Sequence, residues 1–131
     1  SGKHDAIMTA HIINKRWDEK MIPATLSYKV VTGMLRNLLN YQGVVFSDDM
    51  QMDAIAKSYG LEKAIMMAVN AGVDVLLFGN NVRKDVKPVS GTEVHAILKK
   101  LLKENKISTK RVNESYARIM ALKNKNVKSP R

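Results

Sequence analysis

One stretch narrows the possible folds more than any other: Gly43-Val44-Val45-Phe46-Ser47-Asp48-Asp49-Met50. Valine and phenylalanine fill successive positions rather than alternating ones. That suits a strand covered on both faces, as in a parallel sheet. The run then stops at two adjacent carboxylates. Acids where a buried strand ends suit the C-terminal, loop-bearing edge of an α/β fold, where chemistry gathers. The stretch therefore predicts a central strand and a candidate site together.

The rest of the chain supplies neighbours for that strand. Asp5 to Ile12 reads as a short apolar strand ending near His11, and Asn14 to Ile22, which holds Trp17, reads as a loop. Ser27 suits a helix N-cap, and Val30, Val31, Met34, Leu35, Leu38 and Leu39 then recur at helical spacing. Asn40 to Gly43 is turn chemistry. Beyond Met50, Ser58-Tyr59-Gly60 marks a break. Leu61 to Ala71 is a helix with Ala64, Ile65, Ala68 and Ala71 inward, and Gly72 fits its stop. Val73 to Phe78 is a third strand, ending at Gly79-Asn80-Asn81, and Arg83 to Ser90 is a basic loop. Thr92 caps a helix carrying Val94, Ile97, Leu98, Leu101 and Leu102; Ser108 caps another, which runs to about Lys123. The order is strand, helix, strand, helix, strand, helices. Such a βαβαβα series implies α/β architecture with a parallel sheet.

Composition excludes several functions. No cysteine is present, so disulfides, thiolate metal sites and cysteine nucleophiles are out. The three histidines form no helical metal pair, glycine-rich phosphate loops are absent, and no metal or cofactor is implied. No apolar run reaches membrane-spanning length. The net charge of +10 invites a nucleic-acid reading. However, residues 1–60 hold 7 Lys/Arg against 6 Asp/Glu, and residues 61–131 hold 15 against 6. The excess lies far from the candidate site and lacks interleaved aromatics for base stacking, so a solvated lysine face is the better reading.

Four stretches then carry a resemblance. They are Asp5-Ala-Ile-Met-Thr-Ala-His-Ile12, Pro23-Ala-Thr-Leu-Ser27 with its helix to Leu35-Arg36, Gly43 to Met52 with Asp53-Ala54-Ile55, and Ala71-Gly72-Val73-Asp74. A weaker fifth runs from Ile107-Ser108 and Arg111 to Arg118-Ile119 and Leu122-Lys123. Together they resemble glycoside hydrolase family 3, and the Ser-Asp-Asp-Met segment resembles its bacterial β-N-acetylglucosaminidase branch. The resemblance implies a TIM (β/α)8 barrel of which residues 1–123 form the C-terminal part, about strands six to eight; the basic residues 124–131 that follow the last helix read, from the chain itself, as a disordered tail. It implies that Asp48 is the catalytic nucleophile of a retaining glycosidase. Val44, Phe46 and Asp48 share one side of the strand and Val45, Ser47 and Asp49 the other; parity leaves open which side faces the barrel axis. A helix cap or a surface acid is the competing reading of Asp48. His11 matches a family position near the nucleophile and is a candidate substrate-binding residue, or a histidine merely packed at the rim. Asp49 is expected to cap the next helix or orient its neighbour. Asp74 opens its strand at the opposite face, where acids serve stability.

The family's Lys-His-x-Pro-Gly-His-Gly-Asp-type loop, which implies the acid/base, has no counterpart in these residues. The expected partner is an amino-sugar glycoside, with no nucleic acid and no membrane span. The expected activity of these residues alone is nil, and their unpaired strand edges predict self-association. The alternatives are a family 3 β-glucosidase or glycoside phosphorylase, or a non-enzymatic basic α/β binding module.

Overall fold

A computed structural model describes residues 4–80 and 87–127. Among the described residues the sheet has three strands, β1 (Ala6–Met8), β2 (Val44–Asp49) and β3 (Val75–Leu77), in the order β1-β2-β3. Both pairings are parallel, so the strand singled out by its carboxylates is the central one. Ala6 pairs with Val44 and Met8 with Phe46, and Phe46 in turn pairs with Val75. The register shifts between Phe46 and Asp49, where β2 gives way to the acids.

The connections are helical. A π-wound helix spans Lys29–Leu38 and joins β1 to β2 after a one-turn 3₁₀ segment, Ala24–Leu26. Ser27 caps it as expected, accepting from the Val30 N–H at 3.2 Å. Helices α1 (Asp53–Tyr59) and α2 (Leu61–Ala71) join β2 to β3; α3 (Gly91–Lys103) and α4 (Thr109–Val127) follow. Among the described residues no helix is long and apolar enough to cross a membrane.

The core lies on one side of the sheet. Val45 packs with Leu26, Val31, Met50, Ile55, Ala64, Ala68, Ala71 and Val73. A second cluster of Ile65, Val69, Leu101 and Ile107 seats α3 against α2. Alanines on one face of α2 let it lie close to the sheet, while Ile65 and Val69 on another face reach α3. Gly72 ends α2 with φ of 115°. There the Gly72 N–H donates to Val69 and the Val73 N–H to Ala68, the paired bonds of a Schellman stop.

Several boundaries differ from expectation. β1 covers Ala6–Met8, not Asp5 to Ile12: after Thr9 the chain leaves the ladder for a loop that Asp18 organises. β3 shrinks to Val75–Leu77 because Asp74 turns into an arginine cluster. The cap of α3 is Ser90, accepting from the Glu93 N–H at 3.1 Å, and not Thr92. Leu38 and Leu39, predicted inward, are 75% and 69% exposed. The Leu39 N–H donates five residues back, to Met34, and this wider winding rotates both leucines off the buried stripe. α4 continues through Val127, past the predicted end at Lys123, so 124–127 is helical rather than tail. The remainder of the predicted tail, with Asn81 and Arg83 of the predicted loop, lies outside the described residues.

The N-terminal ends of the strands are locked by charge. The Asp74 side chain is fully buried. It accepts from Arg36 (2.6 Å), Arg111 (3.0 Å), Arg118 (3.1 Å), the Ser115 hydroxyl (2.7 Å) and the Val45 N–H (3.0 Å). Burial alone would raise the Asp74 pKa, but the hydrogen bonds from Ser115, Val45 and Arg111 and the Arg36 charge hold it below the usual carboxylate value. The sequence-based assignment of Asp74 to stability therefore has a physical basis: one carboxylate ties α4 and the π-wound helix to the sheet.

Candidate active site

Asp48 stands near the C-terminal end of the central strand. Val45 and Ser47, of opposite parity, are fully buried on the helix side. Phe46 and Asp48 are only half-buried, and Phe46 joins neither helix-side cluster. Val44, of the same parity, is buried near α4, and the register shift between Phe46 and Asp49 interrupts the alternation, so Asp48 is placed by its own partial burial at the strand end rather than by parity. One carboxylate oxygen of Asp48 accepts from the Asp49 N–H at 2.8 Å. No cation pairs with it among the described residues.

Asp49 does something different. Its Oδ1 accepts from the Gln51 N–H at 3.0 Å and from the Gly79 N–H at 3.1 Å. It therefore binds the end of β2 to the end of β3 and shapes the turn after itself. Gly79 is needed for this approach, since a Cβ there would sit 2.6 Å from Asp49 Oδ2. Asp49 does not cap α1, whose N-cap is Met52. Met50 is core, while Met52 is exposed.

His11 is held at both ring nitrogens. Nε2 lies 2.9 Å from the Asp49 carbonyl oxygen, which can only accept, so the proton sits on Nε2. Nδ1 lies 3.0 Å from Thr25 Oγ1 and is hydrogen-bonded to that hydroxyl. Thr9 Oγ1 lies 2.8 Å from Thr25 Oγ1, within hydrogen-bond distance. The chain Thr9, Thr25, His11 and the Asp49 carbonyl fixes the orientation of the imidazole ring. His11 thus touches the backbone beside Asp48, not the Asp48 carboxylate.

Sequence reasoning assigned no role to Asp18 or Gln51 at this edge. Asp18 accepts from the Ser27 hydroxyl at 2.5 Å and the Lys20 N–H at 3.0 Å, anchoring the loop after β1. The Ser27 hydrogen bond is the main cause that holds the Asp18 pKa below the usual carboxylate value. Gln51 Oε1 accepts from the Asn80 N–H at 2.8 Å. Asn80, in left-handed backbone with φ of 51°, binds the Val89 N–H and C=O through its side-chain amide, so it serves as a loop clamp. The pairing of Thr9 and Thr25 had no visible signal, because hydroxyls that meet through folding leave no spacing. Asp18 had a weak one, a lone acid in a loop beside a helix cap.

A partly buried acid at the C-terminal end of a central parallel strand, beside an oriented histidine, is an arrangement suited to nucleophilic or general-base work. Comparison with known proteins narrows this. "Beta-hexosaminidase A" of Pseudoalteromonas piscicida is 33% identical over 129 residues, covering 91% of this chain and 22% of that protein. A "Beta-hexosaminidase" of Actinobacillus pleuropneumoniae serotype 5b is 32% identical over 135 residues, covering 94% and 39%. The solved glycoside hydrolase family 3 beta-N-acetylglucosaminidase from Paenibacillus sp. superposes with a TM-score of 0.79 at 34% identity, covering 97% of this chain and 23% of that one. The chain thus spans well under half the length of each of these relatives. Residues 1–122 match the family description "Glycosyl hydrolase family 3 N terminal domain". With nearly its whole length inside that match, the chain belongs to glycoside hydrolase family 3.

Proposed function

We propose that these residues form strands six to eight, with their helices, of a (β/α)8-barrel catalytic domain. In this reading the intact protein is a retaining glycoside hydrolase that removes terminal β-N-acetylglucosamine from cell-wall or related glycans. One observation carries it: Asp48 lies, only partly buried, at the C-terminal end of the central parallel strand, the end at which a barrel places its pocket. The hexosaminidase names of the relatives support the choice of sugar.

In this mechanism a carboxylate oxygen of Asp48 attacks the anomeric carbon. The bond from that carbon to the leaving oxygen breaks, and a donor outside these residues protonates the leaving group. Water, deprotonated by the same group, then attacks the anomeric carbon, releasing N-acetylglucosamine and the free Asp48 carboxylate. His11 acts on this step through the Asp49 backbone carbonyl that it holds.

A slow fluorinated N-acetylglucosaminyl donor tests the assignment in the intact protein. Peptide mapping should find the added sugar mass on the peptide containing Asp48; a label on another peptide would overturn it. N-acetylglucosamine 1-phosphate as the product in phosphate buffer would move the assignment to a phosphorylase. The 131 residues alone should not turn over an aryl N-acetylglucosaminide above the Asp48→Asn background. Their outer edges on β1 and β3 are unpaired among the described residues, and Met8 is exposed beside the half-buried Phe46. Self-association follows from this, and sedimentation as a monomer at high concentration would argue against it.

A further inference from the structure

The loop after β1 stands on the same edge of the sheet as Asp48. The two strands are parallel, and Met8 pairs with Phe46. The Thr9 N–H still donates to the Phe46 carbonyl, and His11 then reaches the Asp49 carbonyl. The Ile12 carbonyl accepts from the Ala24 N–H at 2.9 Å and closes residues 13–23 into a loop. In a barrel, loops that leave the C-terminal ends of the strands wall the pocket.

That loop is pinned, yet it leaves a large aromatic ring in water. The Asn14 carbonyl accepts from the N–H groups of Trp17 and Asp18, and Asn14 Oδ1 accepts from the Arg16 N–H. Asp18 is buried, and its carboxylate binds the Ser27 hydroxyl and the Lys20 N–H. Trp17 is nevertheless 42% exposed, and Ile12, Ile13 and Met21 of the same loop are exposed with it. An ordered loop that keeps its largest apolar side chain wet gains the fold little from burial. It does present a contact surface whose ordering cost is already met.

The neighbours of the indole decide what covers it. Lys15, Arg16 and Lys20 lie within three residues of Trp17 and are exposed, while Glu19, the exposed acid between them, is taken by Lys29 at 2.7 Å. Protein packed over Trp17 would strip water from these three cations. A sugar ring would not: its C–H face lies on the indole while its hydroxyls accept from side chains that stay wet. The terminal sugar of a substrate must descend to the strand end to meet Asp48. The next sugar is left at the height of the loops, where Trp17 is.

We propose that Trp17 is the platform for the leaving-group sugar, the ring joined to the N-acetylglucosamine that Asp48 attacks. This rests on the role given to Asp48 above and extends it, because it makes the preferred substrate an oligosaccharide rather than a simple glycoside. The leaving sugar is present when the glycosidic bond breaks and gone when water releases the N-acetylglucosamine. Trp17 therefore serves the first step, the one that kcat/KM reports.

Two substrates test this in the intact protein. N-acetylglucosaminyl fluoride carries no second ring; the β-linked disaccharide of N-acetylglucosamine carries one. The ratio of kcat/KM for the disaccharide to that for the fluoride should fall about tenfold in Trp17→Ala, the scale of one lost ring contact. Trp17→Phe should restore most of that ratio. Trp17→Leu, which keeps apolar bulk but has no ring face, should show a similar fall and carries the test if Trp17→Ala does not fold. An unchanged ratio in Trp17→Ala or Trp17→Leu would overturn the proposal while leaving Asp48 in its role. A parent protein that turns over neither substrate would overturn the role of Asp48, and the proposal with it.

Discussion

The two ends of the sheet use the same residue type in opposite ways. At the N-terminal end, Asp74 is fully buried and both its oxygens are engaged by three arginines, a hydroxyl and a backbone N–H. At the C-terminal end, Asp48 is half-buried and accepts one bond, from the N–H of its own neighbour. A carboxylate whose lone pairs are all engaged has nothing left for a substrate. One that is held lightly, beside a rigid strand end, keeps an oxygen to offer. The groups around Asp48 follow the same division: Asp49, Gln51 and His11 bind the frame and leave Asp48 unencumbered.

Substitution should therefore separate function from stability. Asp48→Asn in the intact protein should lower turnover by about 10⁴-fold, the scale for losing a group that acts in the bond-breaking step. Its unfolding midpoint should scarcely move, because a single local hydrogen bond is at stake. Turnover within tenfold of the parent would remove Asp48 from the chemistry. Asp74→Asn should do the reverse. Removing that charge strands three arginines, two of them largely buried, at a cost of about 3–5 kcal/mol in urea unfolding.

The same contrast has a pH signature. The folded pKa of Asp74 lies below its ordinary value of 3.8. Its contribution is therefore complete above that value and is lost as pH falls through the lower, folded value. Acid titration of stability should show this loss in the parent chain. Asp74→Asn should lack that portion of the acid limb, and identical acid limbs would mean that the cluster does not stabilise the fold through its charge.

What the sequence revealed follows from how local each signal was. β2, its carboxylates and the stop at Gly72 could be read because strand, acid and helix end are each written within a few residues. Ser90 was equally local, a Ser-x-x-Glu box that marks a helix start, and Thr92 drew the assignment only by lying nearer the apolar run. The arginine cluster was not legible: Asp74 meets Arg36, Arg111 and Arg118 across separations of 38, 37 and 44 residues, with no periodicity to join them. Nor was the bond from His11 to Asp49, because its acceptor is a backbone carbonyl, which every residue has. The exposure of Leu38 and Leu39 escaped for a further reason. Helical periodicity assumes bonds four residues back, and this helix makes them five back.

Smaller effects sharpen the comparison within the C-terminal end itself. His11→Ala should lower turnover in the intact protein by about 10²-fold, the cost of a slight misplacement of the reacting group. Because His11 works through the Asp49 carbonyl, the loss should fall on kcat more than on KM. Thr25→Val, which removes the hydroxyl partner of His11, should reproduce part of it. A loss confined to KM would instead make His11 a direct sugar contact.

Gly79→Ala should have the mildest effect. Its new Cβ would press on Asp49 Oδ2, the free end of a short side chain that can turn aside. Turning would strain or break the bonds from Asp49 Oδ1 to the Gly79 and Gln51 N–H groups. A destabilisation of about 1 kcal/mol, the scale of one surface hydrogen bond, should accompany a modest fall in turnover. If stability falls while turnover does not, Asp49 ties the two strands together without helping to aim Asp48. Asp49 would then act as Asp74 does, from the end of the sheet where Asp48 does not.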